Sequence, residues 1–262
     1  MIFLIKKKIK NTICRARSLF FSSQSMRPEG VRVLMYHSVG GKPSDHRIGI
    51  RVPVENFTEQ LDEILRAGYV TLTVSEFIRN RASGNVKKSI VITFDDGYKD
   101  NVINAASMLK TRNMKATFFV TTSYIDGKAK KIWSDGSARE YMDWQDVAGL
   151  PSMGFEVGSH MVEHCSLTLC DNDNLVFQME GSKNRIFEMS GFESKVFSYP
   201  YGNVNDKVID VAKRAGYIGA CSSFGGVNYK DTDPYVLRRT EVDGYDRIND
   251  FKDKLNGCYD WK

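Results

Sequence analysis

From Val31 onward the chain alternates short, almost wholly apolar segments with amphipathic ones, and this alternation restricts the fold more than any other feature. The segments "VRVLMYH" (31–37), "SIVITF" (89–94), "KATFFV" (115–120), "FEVGS" (155–159), "KVFSYP" (195–200) and "YIGACS" (217–222) read as strands, with "YVLRRTEV" (235–242) as the last. Helical patterns fall between them at 57–68, about 100–112, 143–150, about 172–190 and 205–215. Two of these stop at Gly68 and Gly216, residues suited to closing a helix. A continuous apolar run such as "SIVITF" suits a strand buried on both faces, as in a parallel sheet. Strand–helix alternation then places the helices outside that sheet. The expected fold is one α/β domain, a distorted or incomplete (β/α) barrel with its chemistry at the C-terminal strand ends. A chain of 262 residues can bury a core of that size without staples.

Charge divides the chain into two parts. The net charge is +5, but Lys6, Lys7, Lys8, Lys10, Arg15 and Arg17 meet no acid before Met26, which leaves about −1 for the rest. A near-neutral body excludes a nucleic-acid-binding face. Residues 1–30 therefore read as a basic N-terminal segment and 31–262 as the catalytic domain. Ile2, Ile5, Ile9, Ile13 and Phe20 fall near one side of a helix drawn through that segment, the pattern of a helix lying on an anionic membrane surface; a solvated basic tail is the other reading. Its apolar run is too short for a signal peptide or a membrane span, which points to a cytoplasmic protein, peripheral on the inner face of the membrane. The five cysteines, Cys14, Cys165, Cys170, Cys221 and Cys258, are odd in number and form no CxxC pair, which suits a reduced compartment.

Polar residues gather at the strand ends. In "TFDDG" the adjacent carboxylates of Asp95 and Asp96 repel each other and need a cation or a raised pKa. Neighbours on a strand point to opposite faces, so Gly97 is expected to turn the chain and let both enter one pocket; a helix-capping aspartate is the alternative. The chain has four histidines, and two of them, His160 and His164, stand four residues apart in "GSHMVEH". Two imidazoles and one carboxylate make a divalent-metal site with positions left for water and substrate, whereas exposed surface histidines would need no such partner. In "FSYPYG", Pro200 and Gly202 set a turn that can aim the Tyr201 N–H at a developing oxyanion, or form an ordinary loop.

Taken in order, "VITFDDGYKDN", "GFEVGSHMVEH" and "FSYPYGNVND" resemble the polysaccharide deacetylase family, carbohydrate esterase family 4. "VLMYHSVG" and "LRRTEVDG" resemble the branch of poly-N-acetylglucosamine deacetylases, and the likeness runs over roughly residues 31–256. It implies an incomplete (β/α) barrel holding one divalent metal, zinc first, with cobalt or nickel able to serve. By motif position Asp96, His160 and His164 are the ligands, Asp95 is the general base, and Pro200 and Tyr201 form the oxyanion turn. Three departures stand out. Met161 replaces a frequent Ser or Thr after the first ligand histidine. Ser198 and Tyr199 stand where many members carry an arginine that holds the base, and Arg239 is the candidate substitute. No histidine follows His164, where many members carry a late Leu-x-His acid; in the branch it resembles an early Tyr-His takes that place, which implies His37 in "MYHSV" as the acid. His46 reads as a bystander. Trp144 suits either a sugar-facing rim or a core anchor.

The implied activity is metal-dependent removal of an N-acetyl group from an amino-sugar-containing glycan or glycolipid, as in surface polysaccharide biosynthesis. Alternatives are a deformylase or O-deacetylase of a carrier-linked sugar, or a non-catalytic glycan-binding module.

Overall fold

The computed structural model describes residues 30–42, 49–84, 86, 88–128, 132–133 and 135–260. The basic residues 1–26 and His46 lie outside them. Eight parallel strands form the main sheet among the described residues. They are β1 (Arg32–Tyr36), β4 (Val70–Leu72), β5 (Ser89–Phe94), β6 (Thr117–Val120), β7 (Glu156–Ser159), β8 (Val196–Ser198), β9 (Gly219–Cys221) and β10 (Thr240–Glu241). Two short strands, β2 (Ser38–Val39) and β3 (Arg51–Val52), pair separately.

The sheet runs β10-β1-β5-β6-β7-β8-β9, with β4 paired to the start of β5. It curls into an incomplete barrel. The free edges approach through one segment: Leu237 bonds to β9 through Ala220 and Ser222, and Val242 donates to Met35 of β1. This explains why the strand expected over 235–242 shrinks to Thr240–Glu241. Its backbone changes partners from β9 to β1 along the way, so no single ladder extends.

Side-chain alternation separates two apolar layers. Leu34, Tyr36, Ile90, Ile92, Phe94, Phe118 and Val120 face outward, against Phe57, Leu61 and Ile64 of α1 (Val54–Arg66). Val33, Val91, Phe119, Val196, Cys221 and Leu237 fill the interior. Period-two alternation in strands buried on both sides produces this division. Phe94 and Phe118 stack with ring centroids 4.7 Å apart, tying β5 to β6. At Gly158 a Cβ would run into the Phe119 ring and lie 3.1 Å from the Val196 carbonyl, so β7 approaches its neighbours there only because the residue lacks a side chain.

The helical layer follows the sequence closely at α6 (Asn172–Ser190), where Asp171 caps the start and Gly191 closes the end at φ +74°. Before it come α2 (Val74–Asn80), α3 (Ser107–Thr111), α4 (Thr122–Ile125) and α5 (Trp144–Gly149); after it come α7 (Asp206–Arg214) and α8 (Ile248–Leu255). The helix expected near 100–112 opens with a wide π-type turn, Asn101–Ala106, before α3. Strand β4, α2 and α8 have no counterpart in the sequence reading. The capping box of α2, Thr73 with Glu76, was a legible start signal.

Candidate metal centre and its surroundings

The interior layer leads directly to the site. Along β5, Val91 lies inside the barrel and Thr93 bonds inward to Arg239, so Asp95, two residues on, also enters the interior. Asp96 would point outward on a regular strand. Instead it takes φ +73°, followed by Gly97 at +75°, and the chain turns back. The sequence reading assigned that turn to Gly97; the structure divides it between the two residues. Met161 and Tyr201 take φ of +71° and +62°. Non-glycine residues held in this region cost of order 1–3 kcal/mol each and persist only where the surroundings impose them. Three such residues stand at or beside the candidate site residues.

Asp96, His160 and His164 converge. Each histidine places Nε2 3.5 Å from Asp96 Oδ1, and one ligand atom from each of the three lies within 4.8 Å of the others. His160, 2% exposed, sits within hydrogen-bonding distance of the Ser198 carbonyl through Nδ1, at 2.8 Å. A carbonyl only accepts, so Nδ1 carries the proton and Nε2 offers its lone pair towards Asp96. Asp96 Oδ1 is buried and makes no hydrogen bond among the described residues. A buried carboxylate oxygen without a donor is costly. Ligands about 2.0–2.1 Å from a tetrahedral ion stand about 3.3 Å apart. The donor set, the tautomer, the spacing and the unsatisfied oxygen all fit a divalent cation such as zinc.

Asp95 is held differently. Arg239 grips it with two parallel bonds, Nη1 to Oδ1 and Nη2 to Oδ2, both 2.8 Å. Ser198 Oγ lies 3.1 Å from Oδ2 and accepts from Arg239 Nη2 at 2.8 Å. Arg239 is itself fixed by Nε donating to the Ser222 carbonyl at 2.7 Å. Burial favours the neutral acid, but Arg239, with His160, its own hydrogen bonds and His37 adding, outweighs it and holds Asp95 well below the usual carboxylate range. Sequence reasoning missed Ser198 as a participant and saw only that it was not arginine. One residue bonds the candidate base through its side chain and a candidate ligand through its carbonyl.

His37 follows β1 at the level of Asp95, whose N–H donates to the Tyr36 carbonyl at 3.0 Å. It is half-buried and close enough to act on the Asp95 charge. The next residues are pinned by Asp100, which Ser38 Oγ and the Val39 N–H both contact. Pro200 opens the single turn Pro200–Gly202. The Tyr201 side chain, 64% exposed, packs edge-on to His164 with centroids 4.5 Å apart. Met161 is fully buried among Leu167, Leu175 and Tyr199, its N–H bonded to Ser159 Oγ at 3.0 Å. The loop is therefore anchored by packing where a serine or threonine hydroxyl was expected.

Trp144 engages none of these side chains. Its indole donates to Asp126 at 2.9 Å, lies beneath the Arg185 guanidinium and packs against the outer core. Its place is in the helical layer rather than on the rim, because its N–H finds an acceptor at the end of α4. An aromatic group the sequence reading passed over lies nearer: Tyr141 stacks on Tyr98 and tilts against Tyr124. Burial first, and then the Asp96 charge, push the Tyr141 phenol up to about 12.

The family model described as "Polysaccharide deacetylase" matches residues 82–220. YxkH of Bacillus subtilis (strain 168), a protein named for polysaccharide deacetylation, is 28% identical over 218 residues, 82% of this chain and 72% of its own length. The Streptococcus pyogenes deacetylase PplD, solved in complex with acetate, shares the fold at a TM-score of 0.75 and 23% identity, covering 87% of this chain and 99% of its own. IcaB from Ammonifex degensii does so at 0.72 and 22%, covering 88% and 98%.

Proposed function

The chain belongs to the polysaccharide deacetylase family, and from that premise we propose that it is a metal-dependent hydrolase removing an N-acetyl group from an amino-sugar-containing glycan or glycolipid. The observation that carries the metal is the buried, unsatisfied Asp96 oxygen facing two imidazole nitrogens at equal distance. In this reading Asp96, His160 and His164 hold the cation, zinc before cobalt or nickel. When bound, such an ion lowers the pKa of water from 15.7 towards about 7 and polarises an acyl oxygen.

The remaining roles belong to the chain. Asp95 takes the proton of the attacking water. An aspartate so strongly held by Arg239 is a weak base, suited to a water already made acidic and unsuited to one that is not. Arg239 and Ser198 keep it ionised and fixed in direction. As the C–O bond forms, the oxyanion is received by the Tyr201 N–H on the turn that Pro200 stiffens. His37 gives its proton to the leaving nitrogen, the C–N bond breaks, and acetate and a free amine result. The substrate we favour is an intermediate of surface-glycan assembly on the cytoplasmic face of the membrane, with residues 1–26 docking the enzyme beside it.

The deciding experiment measures acetate release from N-acetylated glycans and glycolipids by metal-stripped protein, with and without zinc, beside Asp95→Asn. Zinc-dependent acetate that disappears in the variant is the expected result. Zinc binding with formate released in place of acetate would transfer the reading to a formyl group, and acetate released from O-acetylated but not from N-acetylated sugars would transfer it to an ester. Glycan binding indifferent to zinc, with no product, would leave a binding module.

A further inference from the structure

Beyond the metal and the base, one pair of neighbouring thiols has no part in the chemistry above. Cys165 and Cys170 place their sulfurs 3.9 Å apart, both half-buried, at the two ends of the single turn Leu167–Leu169. Cys221 and Cys258, the other described cysteines, are buried. Cys165 is bonded directly to His164, whose Nε2 faces Asp96. We propose that Cys165 and Cys170 are a reversible redox modification site, and that their disulfide withdraws His164 from the metal position.

The chemistry balances with a small-molecule disulfide as oxidant. One cysteine thiolate attacks a sulfur of that disulfide, whose S–S bond breaks and releases one thiol. The second cysteine thiolate then attacks the mixed disulfide, forming the Cys165–Cys170 bond and releasing the second thiol. Two protein thiols are oxidised, one disulfide is reduced, and the two protons pass to the released thiolates.

The direction of movement follows from what anchors each end. A disulfide bond is about 2.05 Å long, so the sulfurs must close by about 1.9 Å. Leu167 is fully buried between them. Beyond the turn, Cys170 is fixed by Lys207, which donates to its carbonyl at 3.1 Å, and by Asp171, the cap of α6. The Cys165 end is held by its N–H to the nearby Glu163 carbonyl at 2.8 Å and by the exposed Tyr201 hydroxyl, 3.5 Å from the His164 carbonyl, whereas Cys170 is tied to two helices. In this proposal the Cys165 end yields, and it is covalently continuous with the ligand. Disturbing the support of a metal-binding histidine typically costs 10–100-fold in affinity.

This second half of the proposal rests on the metal reading, and the experiment separates the two. Full-length protein is treated with glutathione disulfide or with dithiothreitol, blocked with N-ethylmaleimide, and mapped by peptide mass; zinc affinity is titrated on both forms and on Cys170→Ser. The expected result is a Cys165–Cys170 cross-linked peptide and zinc binding weakened at least about tenfold, restored by dithiothreitol and absent in Cys170→Ser. Both thiols alkylated after oxidation would overturn the site. A cross-link with unchanged zinc affinity would overturn the coupling to His164. Reduced protein that binds no zinc would remove the metal reading and with it the coupling, while the mass map still decides the disulfide.

Discussion

Arg239 and Asp95 form a buried, bidentate ion pair. Removing one side of a buried pair strands the other charge at a cost of about 3–5 kcal/mol. Arg239→Ala should therefore lower unfolding stability in urea by that order as well as slow turnover. Arg239→Lys keeps a charge but cannot reproduce the parallel grip, so it should recover part of the stability and less of the rate. A variant with unchanged stability and activity would remove the role assigned to Arg239. His37 is tested separately, because its loss leaves the carboxylate pair intact. His37→Asn should reduce turnover about 10²–10⁴-fold with zinc affinity unchanged, and a rate within threefold of wild type would exclude it as the acid.

The strand ends act as mounts for these residues. Strand β5 delivers Asp95 by ordinary alternation and Asp96 by a left-handed turn; β7 delivers His160; β8 delivers Ser198; the segment before β10 delivers Arg239. Such a rim is only as accurate as the spacing between strands. Gly158 sets the approach of β7 to β6 and β8, since a Cβ there meets the Phe119 ring and the Val196 carbonyl. Gly158→Ala should overpack the interior and cost about 1–3 kcal/mol, with weakened zinc binding because His160 lies two residues further along. Thermal melting and zinc titration of the same variant check both halves; stability lost without change in affinity would mean that the loop corrects the displacement.

For the whole molecule, curling converts a sheet into a site. The segment from Leu237 to Val242 touches β9 at one end and β1 at the other, and Arg239 projects from its middle into the interior. Closure of the barrel and positioning of the proposed base are thus one structural event. Membrane contact belongs to the same scale. No helix among the described residues is long and apolar enough to cross a membrane; the docking proposed above is assigned to residues 1–26. Their deletion should abolish pelleting with anionic liposomes while leaving zinc-dependent hydrolysis of a soluble substrate unaltered; unchanged pelleting would rule out docking through this segment.

Local pattern was enough to read the parallel strands, the long helix over 172–190, the paired histidines and the adjacent carboxylates. These depend on periodicities of two and 3.6, on capping residues, and on ligands that lie close in sequence. Strand β4, three residues long with Val70 exposed, carried too little pattern to be read, whereas β8 and β9, equally short, lie within longer apolar runs. Partnerships across the barrel were decided only by the tertiary structure. Asp95 meets Arg239 across 144 residues and Ser198 across 103, and Trp144 goes to Asp126 instead of the rim. Nothing in local spacing encodes which strand end faces which. That depends on how far the sheet curls and where its edges meet, and both are set by the packing of Phe119, Val196, Cys221 and Leu237 inside it.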